Sequence, residues 1–295
     1  MNRKKGLKPV GIIAATVLLG LMAGCGGLGE AEQAINSSVQ KIDDVVTDAV
    51  NTSKQIIKES GRSMEVTSEE EVGTATTLNM NNSVGDVYIR NVSGTKITAK
   101  STITATPSLL RSKNQLQEIL EQAEVSVVIE GDQARVFTHA KDHPEQDLWD
   151  WSESEYGFSD FSIDYEIGLP SNVTVLDVTN DVGEINLADI NGEYRIQTDV
   201  GSIKVSGAHF TGDSTLSSST GSIDLEIEQI DSAGSLKAVA DVGSIDLKLG
   251  EAVSCVLELK AEVGAISGAS NGESKRGDGG PRVSLTTSVG AINVE

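Results

Sequence analysis

The sequence has 295 residues, of which 38% are hydrophobic but only 3% aromatic, and glycine (30) far outnumbers proline (5). This length allows a substantial core, and the composition predicts one of small and branched aliphatic side chains, which suit β-strands. The formal charge is −21, from 23 basic and 44 acidic residues. Because so acidic a surface repels phosphate backbones, the composition argues against nucleic acid as a partner.

The first 24 residues have the layout of a secretory leader. Four basic residues between positions 3 and 8 precede an apolar run over 10–22, which is too short for a permanent membrane span. The run leads into Ala23-Gly24-Cys25, which resembles the lipobox of bacterial lipoproteins, although Met22 stands where leucine is usual. The resemblance implies a signal peptide over 1–24, a diacylglycerol anchor on Cys25 and a place in the bacterial envelope outside the cytoplasm. An ordinary secretory signal with an incidental cysteine is the alternative.

Residues 25–73 are predicted to form a tether between this anchor and the body of the protein. Three early glycines make its start flexible, and an amphipathic helix is predicted over 30–60, ending at Gly61. Its seam follows steps of four and three and comprises Ile35, Val39, Ile42, Val46, Ala49, Ser53 and Ile56. Such a helix is either a short coiled-coil stalk or a single helix lying across the end of the body. The Glu69, Glu70 and Glu71 run is interpreted as solvated linker.

A short unit that contains glycine recurs seven times. Each copy has the form V-G-x-I, with small variations, and the copies centre on Gly85, Gly183, Gly201, Gly221, Gly243, Gly264 and Gly290. Apolar residues alternate with a period of two on both sides of the glycine, which predicts two short strands per unit. A second corner is predicted at Gly192, Gly212 and Gly234, with Cys255 in the same column.

Repeats of this kind predict an all-β fold, specifically a β-solenoid of about six coils in which each unit stacks on the next in the chain. The principal alternative is an antiparallel meander or sandwich. The repeat is interrupted after Gly85, where an inserted helix near 109–123 and strands near 125–130, 134–138 and 163–169 are predicted, so the insertion covers about 100–165.

Residues 74–295 resemble the putative-adhesin family of bacterial envelope β-repeat domains. The resemblance rests on the V-G-x-I-x-V/L units and on Tyr165-Glu166-Ile167-Gly168-Leu169-Pro170, which is similar to the strand before the family's coils. It implies a solenoid-like fold and an envelope location. It transfers no catalytic residue.

The insertion holds the strongest candidate for a binding site. Seven of the ten aromatic residues and many carboxylates lie between Phe137 and Tyr165. Aromatic faces beside carboxylates suit the capture of a sugar or a peptide. The candidate partner-binding loop comprises Trp149, Asp150, Trp151, Glu153, Tyr156 and Phe158. The alternative is a loop whose aromatic side chains fold back and close the end or side of the solenoid.

Other motifs are given structural or incidental interpretations. The aspartates beside the repeat glycines are interpreted as turn caps rather than calcium ligands, and Arg276-Gly277-Asp278 as an incidental match to the integrin-binding tripeptide. His139 and His143 are interpreted as solvated loop residues, and Cys255 as a small packed side chain. We therefore predict no metal and no cofactor, and no intramolecular disulfide, since Cys255 is the only thiol left once Cys25 is acylated.

These features predict a non-catalytic binding, adhesion or scaffolding module at the bacterial envelope. It would be held to the membrane through Cys25 and would have an envelope glycan or protein as its partner. Two alternatives are open: a regulatory module that senses envelope stress through a membrane protein, and an enzyme active on polysaccharides. The sequence does not determine the oligomeric state.

Overall fold

A computed structural model of the chain describes residues 62–105 and 113–295. The predicted leader, the predicted anchor at Cys25 and the predicted helix over 30–60 lie outside the described residues. Where the chain is described, two helices, α1 (Lys113–Gln122) and α2 (Leu148–Tyr156), accompany 21 strands. The all-β class predicted from the sequence is confirmed.

The first nine strands include those of the insertion: β1 (Arg62–Glu71), β2 (Thr77–Val84), β3 (Val87–Val92), β4 (Lys96–Ala105), β5 (Ala123–Glu130), β6 (Gln133–Ala140), β7 (His143–Asp147), β8 (Phe161–Pro170) and β9 (Val175–Val182). The remaining strands belong to the repeats: β10 (Ile185–Ala188), β11 (Asn191–Val200), β12 (Ile203–Phe210), β13 (Asp213–Thr220), β14 (Ile223–Ile230), β15 (Ser235–Val242), β16 (Ile245–Leu249), β17 (Cys255–Val263), β18 (Ile266–Ser267), β19 (Gly272–Arg276), β20 (Arg282–Val289) and β21 (Ile292–Val294).

These strands form one large mixed sheet whose pairings run in two rows. Row A has the order β1-β4-β8-β3-β10-β12-β14-β16-β21-β18. Row B has the order β5-β6-β2-β9-β11-β13-β15-β20-β17-β19. Pairs at the β1 and β5 end are antiparallel, including that of β7 with β6, and the pairs between repeat units are parallel. β11 and β12 link the two rows.

Equivalent positions of the repeat lie side by side in both rows. The residue two positions after each glycine, valine in the first unit and isoleucine in the others, pairs with its counterpart, as Ile185 does with Ile203 and Ile203 with Ile223. Ile185, Ile203 and Ile223 are completely buried, and their strands alternate between buried residues and partly or fully exposed ones. The period of two seen in the sequence therefore places one aliphatic face of every repeat strand in a shared core.

The order of the last two units differs from the prediction. β15, of the Gly243 unit, pairs with β20 of the Gly290 unit, and β20 pairs in turn with β17 of the Gly264 unit. The later unit is thus inserted between two units that are consecutive in the chain, and the expectation that each unit stacks on the next is wrong here. β19 folds back antiparallel on β17 and occupies the end of row B. The 26-residue interval between Gly264 and Gly290 contains β19, the returning strand of this hairpin.

Two further segments differ from expectation. The Glu69, Glu70 and Glu71 run, interpreted as linker, ends β1, which pairs along its whole length with β4. Its carboxylates face solvent, and Glu69 forms an ion pair with Lys96. In the insertion, the predicted helix and the strands around it are present as α1, β5, β6 and β8, but β7 and α2 were not predicted.

The repeat glycines form a column in which consecutive backbones are in close contact. A Cβ on Gly201 would lie 2.0 Å from the carbonyl oxygen of Gly183, and a Cβ on Gly221 would lie 2.2 Å from that of Gly201. Gly201 also has a φ of +148°, which side chains disfavour. Glycine is therefore required at this column for two separate reasons, namely space and backbone conformation.

A buried polar ladder lies three residues before the glycine column and was not predicted. The side chains of Asn180, Ser218 and Thr287 each donate a hydrogen bond of 2.9–3.0 Å to the carbonyl oxygen of a repeat glycine. Thr198 lies in the same column, but its Oγ1 has no hydrogen-bond partner among the described residues. The ladder satisfies glycine carbonyl groups that would otherwise face an aliphatic core.

Thr198 lacks a hydrogen-bond partner among the described residues and Thr287 has one, so the same substitution should affect stability differently at these two positions. Thr198→Val should leave stability unchanged or raise it, because it removes a buried hydroxyl that has no partner. Thr287→Val should cost about 1 kcal/mol, because it removes the donor to the Gly243 carbonyl. Urea unfolding of the two variants measures the difference. Equal losses at both positions would contradict this account of the ladder.

Candidate functional site

The predicted partner-binding loop is an ordered helical segment. Asp147 caps the N-terminus of α2, where its side chain accepts a 2.8 Å hydrogen bond from the backbone amide of Asp150. Gly157 ends the helix in the left-handed conformation, and its amide bonds to the Glu153 carbonyl. Aspartate before a helix and glycine after it are standard sequence signals. These two residues would have predicted α2.

The aromatic residues of this segment pack largely against the body. Trp151 and Phe158 are buried, at 7% and 3% exposure, and the ring of Trp151 meets Tyr156 edge-on with centroids 5.6 Å apart. Trp149 stacks on Phe161 at 4.3 Å. Trp149 and Tyr156 are partly exposed, and both lie against the core. The indole and phenyl rings thus anchor α2, and this packing follows the fold-back alternative of the sequence analysis.

A hydrogen-bonded network fixes the strands beneath the segment. The hydroxyl of Tyr165 on β8 donates to Thr138 Oγ1 at 2.8 Å and accepts from the Thr138 amide at 3.0 Å. The Thr138 hydroxyl in turn donates to Ser101 on β4. Because burial disfavours the phenolate, the pKa of Tyr165 is raised to about 12. The tyrosine therefore stays neutral and ties β6 to β8.

The acidic residues of the segment border a cleft beside α2. The cleft has a volume of about 240 Å³ and takes its walls from β2, β6, β7 and α2. Its lining residues are Asn79, Met80, Asn81, Arg135, Val136, Phe137, Glu145, Gln146, Asp147 and Asp150. Asp150 is the one member of the predicted loop in this lining. Glu153 is exposed but does not line the cleft, and neither do the two tryptophans.

The cleft combines a cation, an aromatic ring and carboxylates. The guanidinium carbon of Arg135 lies 4.2 Å from the ring centre of Phe137, which is a cation–π contact. Both residues belong to β6. Glu145, Asp147 and Asp150 line the same cleft. Carboxylates accept hydrogen bonds from hydroxyl and ammonium groups, and the guanidinium group of Arg135 can donate hydrogen bonds to a carboxylate of the ligand. Such a cleft suits a polar ligand that carries both hydroxyl or amino groups and an acidic group.

A second concave surface, of about 390 Å³, lies on the outer face of row A. Its lining residues are Lys204, Val205, Ser206, Asp224, Leu225, Glu226, Asp246, Leu247, Lys248, Asn293 and Glu295. Burial raises the pKa of the Asp224 carboxyl above its ordinary 3.8, and neighbouring Asp246 raises it further, although Lys204 opposes the shift. Asn293 donates to Asp246 Oδ1 at 2.6 Å. The groove therefore places the carboxylates of Asp224 and Asp246 close together on neighbouring strands of row A.

We expect Asp224→Asn to stabilise the protein at pH 7. The wild-type pKa is raised in the folded state, so wild-type stability decreases as pH rises from below 3.8 through the folded-state value. The amide variant lacks that decrease, so its higher melting temperature at pH 7 should disappear at pH 3. Melting curves at the two pH values measure this effect, with the exposed Asp177→Asn as the control. A lower melting temperature for Asp224→Asn at pH 7 would contradict the prediction.

The other candidate residues have structural surroundings. His139, interpreted as solvated, is buried, and its ring nitrogens contact Ser126 Oγ at 2.7 Å and the Ala140 carbonyl at 2.9 Å; that interpretation is wrong. His143 is exposed, as predicted. Arg276 donates to the Leu249 carbonyl at 3.2 Å. Cys255 is a buried free thiol, which confirms its interpretation as a packed side chain.

Metal-ligating side chains do not gather in the part of the chain that the structure describes. No group of three or more histidine, cysteine, aspartate or glutamate side chains is arranged there to hold a metal ion.

Within residues 62–105 and 113–295, neither helix is long and apolar enough to cross a membrane.

Solved bacterial structures are similar to this chain, although no protein-family model and no curated protein matches it. A putative cell adhesion protein from Clostridium sporogenes is 12% identical with a TM-score of 0.44, over 79% of this chain and 99% of that one. A putative lipid binding protein from Parabacteroides distasonis is 13% identical with a TM-score of 0.31, over 80% and 98%. A putative adhesin from Bacteroides fragilis is 11% identical with a TM-score of 0.27, over 78% and 97%. The chain is thus structurally similar to bacterial putative adhesins.

Proposed function

We propose that this protein is a non-catalytic binding module of the bacterial cell surface, held to the membrane by a lipid on Cys25. Its repeated body is proposed to be a β-solenoid that serves as a rigid support. The observation that carries the proposal is the cleft beside α2, where Asp150 of the predicted loop meets Arg135 and Phe137 at one end of the strand rows.

The packing of α2 supports a preformed site. Trp151 is buried, and the capped helix fixes the position of Asp150 at the cleft wall. A preformed site loses little conformational entropy on binding, so a shallow polar cleft can still hold a ligand. The mixture of charges favours a sugar or peptide with both amino and acidic groups, which are common in bacterial envelopes.

Capture of purified envelope polymers tests this proposal. The full chain is compared with the double variant Arg135→Ala, Asp150→Asn in pull-downs on purified peptidoglycan and purified capsular polysaccharide. Both side chains are exposed, so the fold should be kept. The control is Arg195→Ala, Asp199→Asn, which changes the same residue types at exposed positions of β11. We expect capture by the wild type and the control and at least a tenfold loss in the cleft variant.

Three results would overturn the proposal. Equal capture by the cleft variant and the control would show that binding occurs elsewhere. Release of new reducing ends from either polymer, lost in Asp150→Asn, would show catalysis instead of simple binding. Failure of every form to retain either polymer would also contradict a glycan-binding role and would support the regulatory alternative.

A further inference from the structure

An apolar ridge follows the outside of the repeat column. The residue before each repeat glycine is valine in six units and threonine in one. In spatial order the ridge comprises Val84, Val182, Val200, Thr220, Val242, Val289 and Val263. Each of these residues pairs directly with the next, so the side chains form a continuous line. All seven are at least partly exposed, and Val84 and Val263 at its ends reach 39% and 41%.

The ridge is long and narrow. Seven strands spaced by about 4.8 Å give it a length of about 29 Å. Polar and acidic residues border it, among them Asp181, Asp199 and Asp241 two residues before the glycines. An apolar line with polar borders on an otherwise acidic surface has the character of a contact surface. Its shape matches the apolar seam of one amphipathic helix.

The predicted tether contains a segment whose sequence pattern fits such a helix. The seam from Ile35 to Ile56 spans 21 residues, or about 32 Å in helical conformation, close to the length of the ridge. Beside this seam, at the positions that would border a contact, Asp43 is the one charged residue. The lysines of the segment lie farther from the seam. The seam therefore matches the ridge in length and in its lack of charge along the contact.

The start of β1 places this segment at the ridge. Met64 pairs with Ile103, and Ile103 pairs with Ile163. The carbonyl oxygen of Ile163 adjoins Gly85, where a Cβ would lie 2.1 Å away. The chain thus enters β1 at the level of the glycine column, three strand spacings or about 14 Å from the Val84 end. The five residues between Ile56 and Arg62 can span that gap when extended.

We propose that residues 35–56 form a helix that lies along the valine ridge, with Ile56 near Val84 and Ile35 near Val263. The helix covers the exposed valines and removes its own apolar seam from water. The sequence left two forms of the tether open, a coiled-coil stalk and a single helix lying on the body. In this proposal the helix packs along the side of the body and does not stand free as a stalk. The proposal does not depend on which ligand the cleft binds.

This arrangement fixes how the body faces the membrane. Cys25 lies ten positions before Ile35, so the lipid anchor is connected to the end of the body that holds Val263 and the hairpin of β17 and β19. The cleft beside α2 lies at the opposite end of the strand rows. The body would therefore stand with its cleft pointing away from the membrane.

Hydrogen exchange of the full chain, followed by mass spectrometry, tests the proposal. The ridge variant carries Val182→Lys, Val200→Lys and Val242→Lys. The control carries Thr179→Lys, Gln197→Lys and Val239→Lys, which add the same charges to the outer face of the same strands. We expect amides of residues 35–56 to exchange on the order of tenfold faster in the ridge variant and at the wild-type rate in the control. Protection of β11 and β13 reports whether the body stays folded.

Equal exchange of residues 35–56 in both variants would overturn the proposal. Fast exchange in both would show that the segment does not dock, and slow exchange in both would show that it is protected by other contacts, such as a stalk. If the lysines unfold the body, the milder Val182→Thr, Val200→Thr and Val242→Thr variant replaces them, since threonine already occupies the ridge at position 220. The same increase in exchange, smaller in size, is then expected.

Discussion

Gly201→Ala is expected to destabilise the protein by about 3–5 kcal/mol. The new Cβ would lie 2.0 Å from the Gly183 carbonyl oxygen, so two neighbouring strands must separate locally. The φ of +148° at Gly201 adds backbone strain of about 1–3 kcal/mol for any residue with a side chain. Because the Gly201 amide also bonds to the Thr220 carbonyl, the displacement would extend to the next unit. The midpoint of urea unfolding measures the loss.

Gly131→Ala is the matched control for this substitution. Gly131 has a positive φ of +66°, but no atom lies within 4 Å of the position that its Cβ would take. Its replacement should cost only the backbone strain, about 1 kcal/mol. A similar loss at both glycines would show that the close approach within the column contributes nothing beyond conformation.

Phe210→Ala is expected to cost about 3–5 kcal/mol, the usual range for truncating a fully buried phenylalanine. Phe210 is completely buried, and its ring centre lies 4.8 Å from that of Tyr194, which is also completely buried. The hydroxyl of Tyr194 donates a hydrogen bond to the Ile190 carbonyl, which holds that ring in place and keeps it from refilling the cavity. Loss of the ring would also leave Tyr194 without its aromatic neighbour.

Two comparisons separate the loss of volume from other effects. Phe210→Leu keeps most of the side-chain volume and should cost about 1 kcal/mol. Tyr88→Ala removes an aromatic ring that is 39% exposed on β3, and it should change stability by less than about 0.5 kcal/mol. A loss for Phe210→Ala as small as that for Tyr88→Ala would mean that the repeat core repacks without a cavity.

Much of the fold of the body could be predicted because the same alternation of apolar and polar residues recurs in each repeat. The period of two around Gly201 or Gly221 identifies the buried face, and the glycine itself identifies the corner. The insertion was predicted where its periodicity was clear, as in α1 and β5. The segment around α2 was treated as a polar loop because its carboxylates outweigh its apolar residues, although Asp147 and Gly157 carry helix-capping signals.

Other features depend on contacts that a single strand does not reveal. Asn180 and Ser218 occupy inward positions that the pattern assigns to apolar residues, and they fit there because glycine carbonyls of neighbouring units accept their hydrogen bonds. Six of the seven repeat units contribute a valine to the ridge, yet the outward direction of these side chains follows from the bend at the glycine. In the candidate site, Asp150 was predicted, but Arg135 and Phe137 come from β6, which only the tertiary fold brings to α2.

The placement of the Gly290 unit between the Gly243 and Gly264 units has a consequence for biosynthesis. The ribosome delivers β17 before β20, at a time when the edge of β15 is still open. β17 carries the same alternating pattern as β20, so it can occupy that edge and form a stack in the order of the chain. In a chain that has made this pairing, β20 and β21 displace β17 to reach the native order. In every chain, the last two strands to be synthesised enter the interior of the two rows and not their ends.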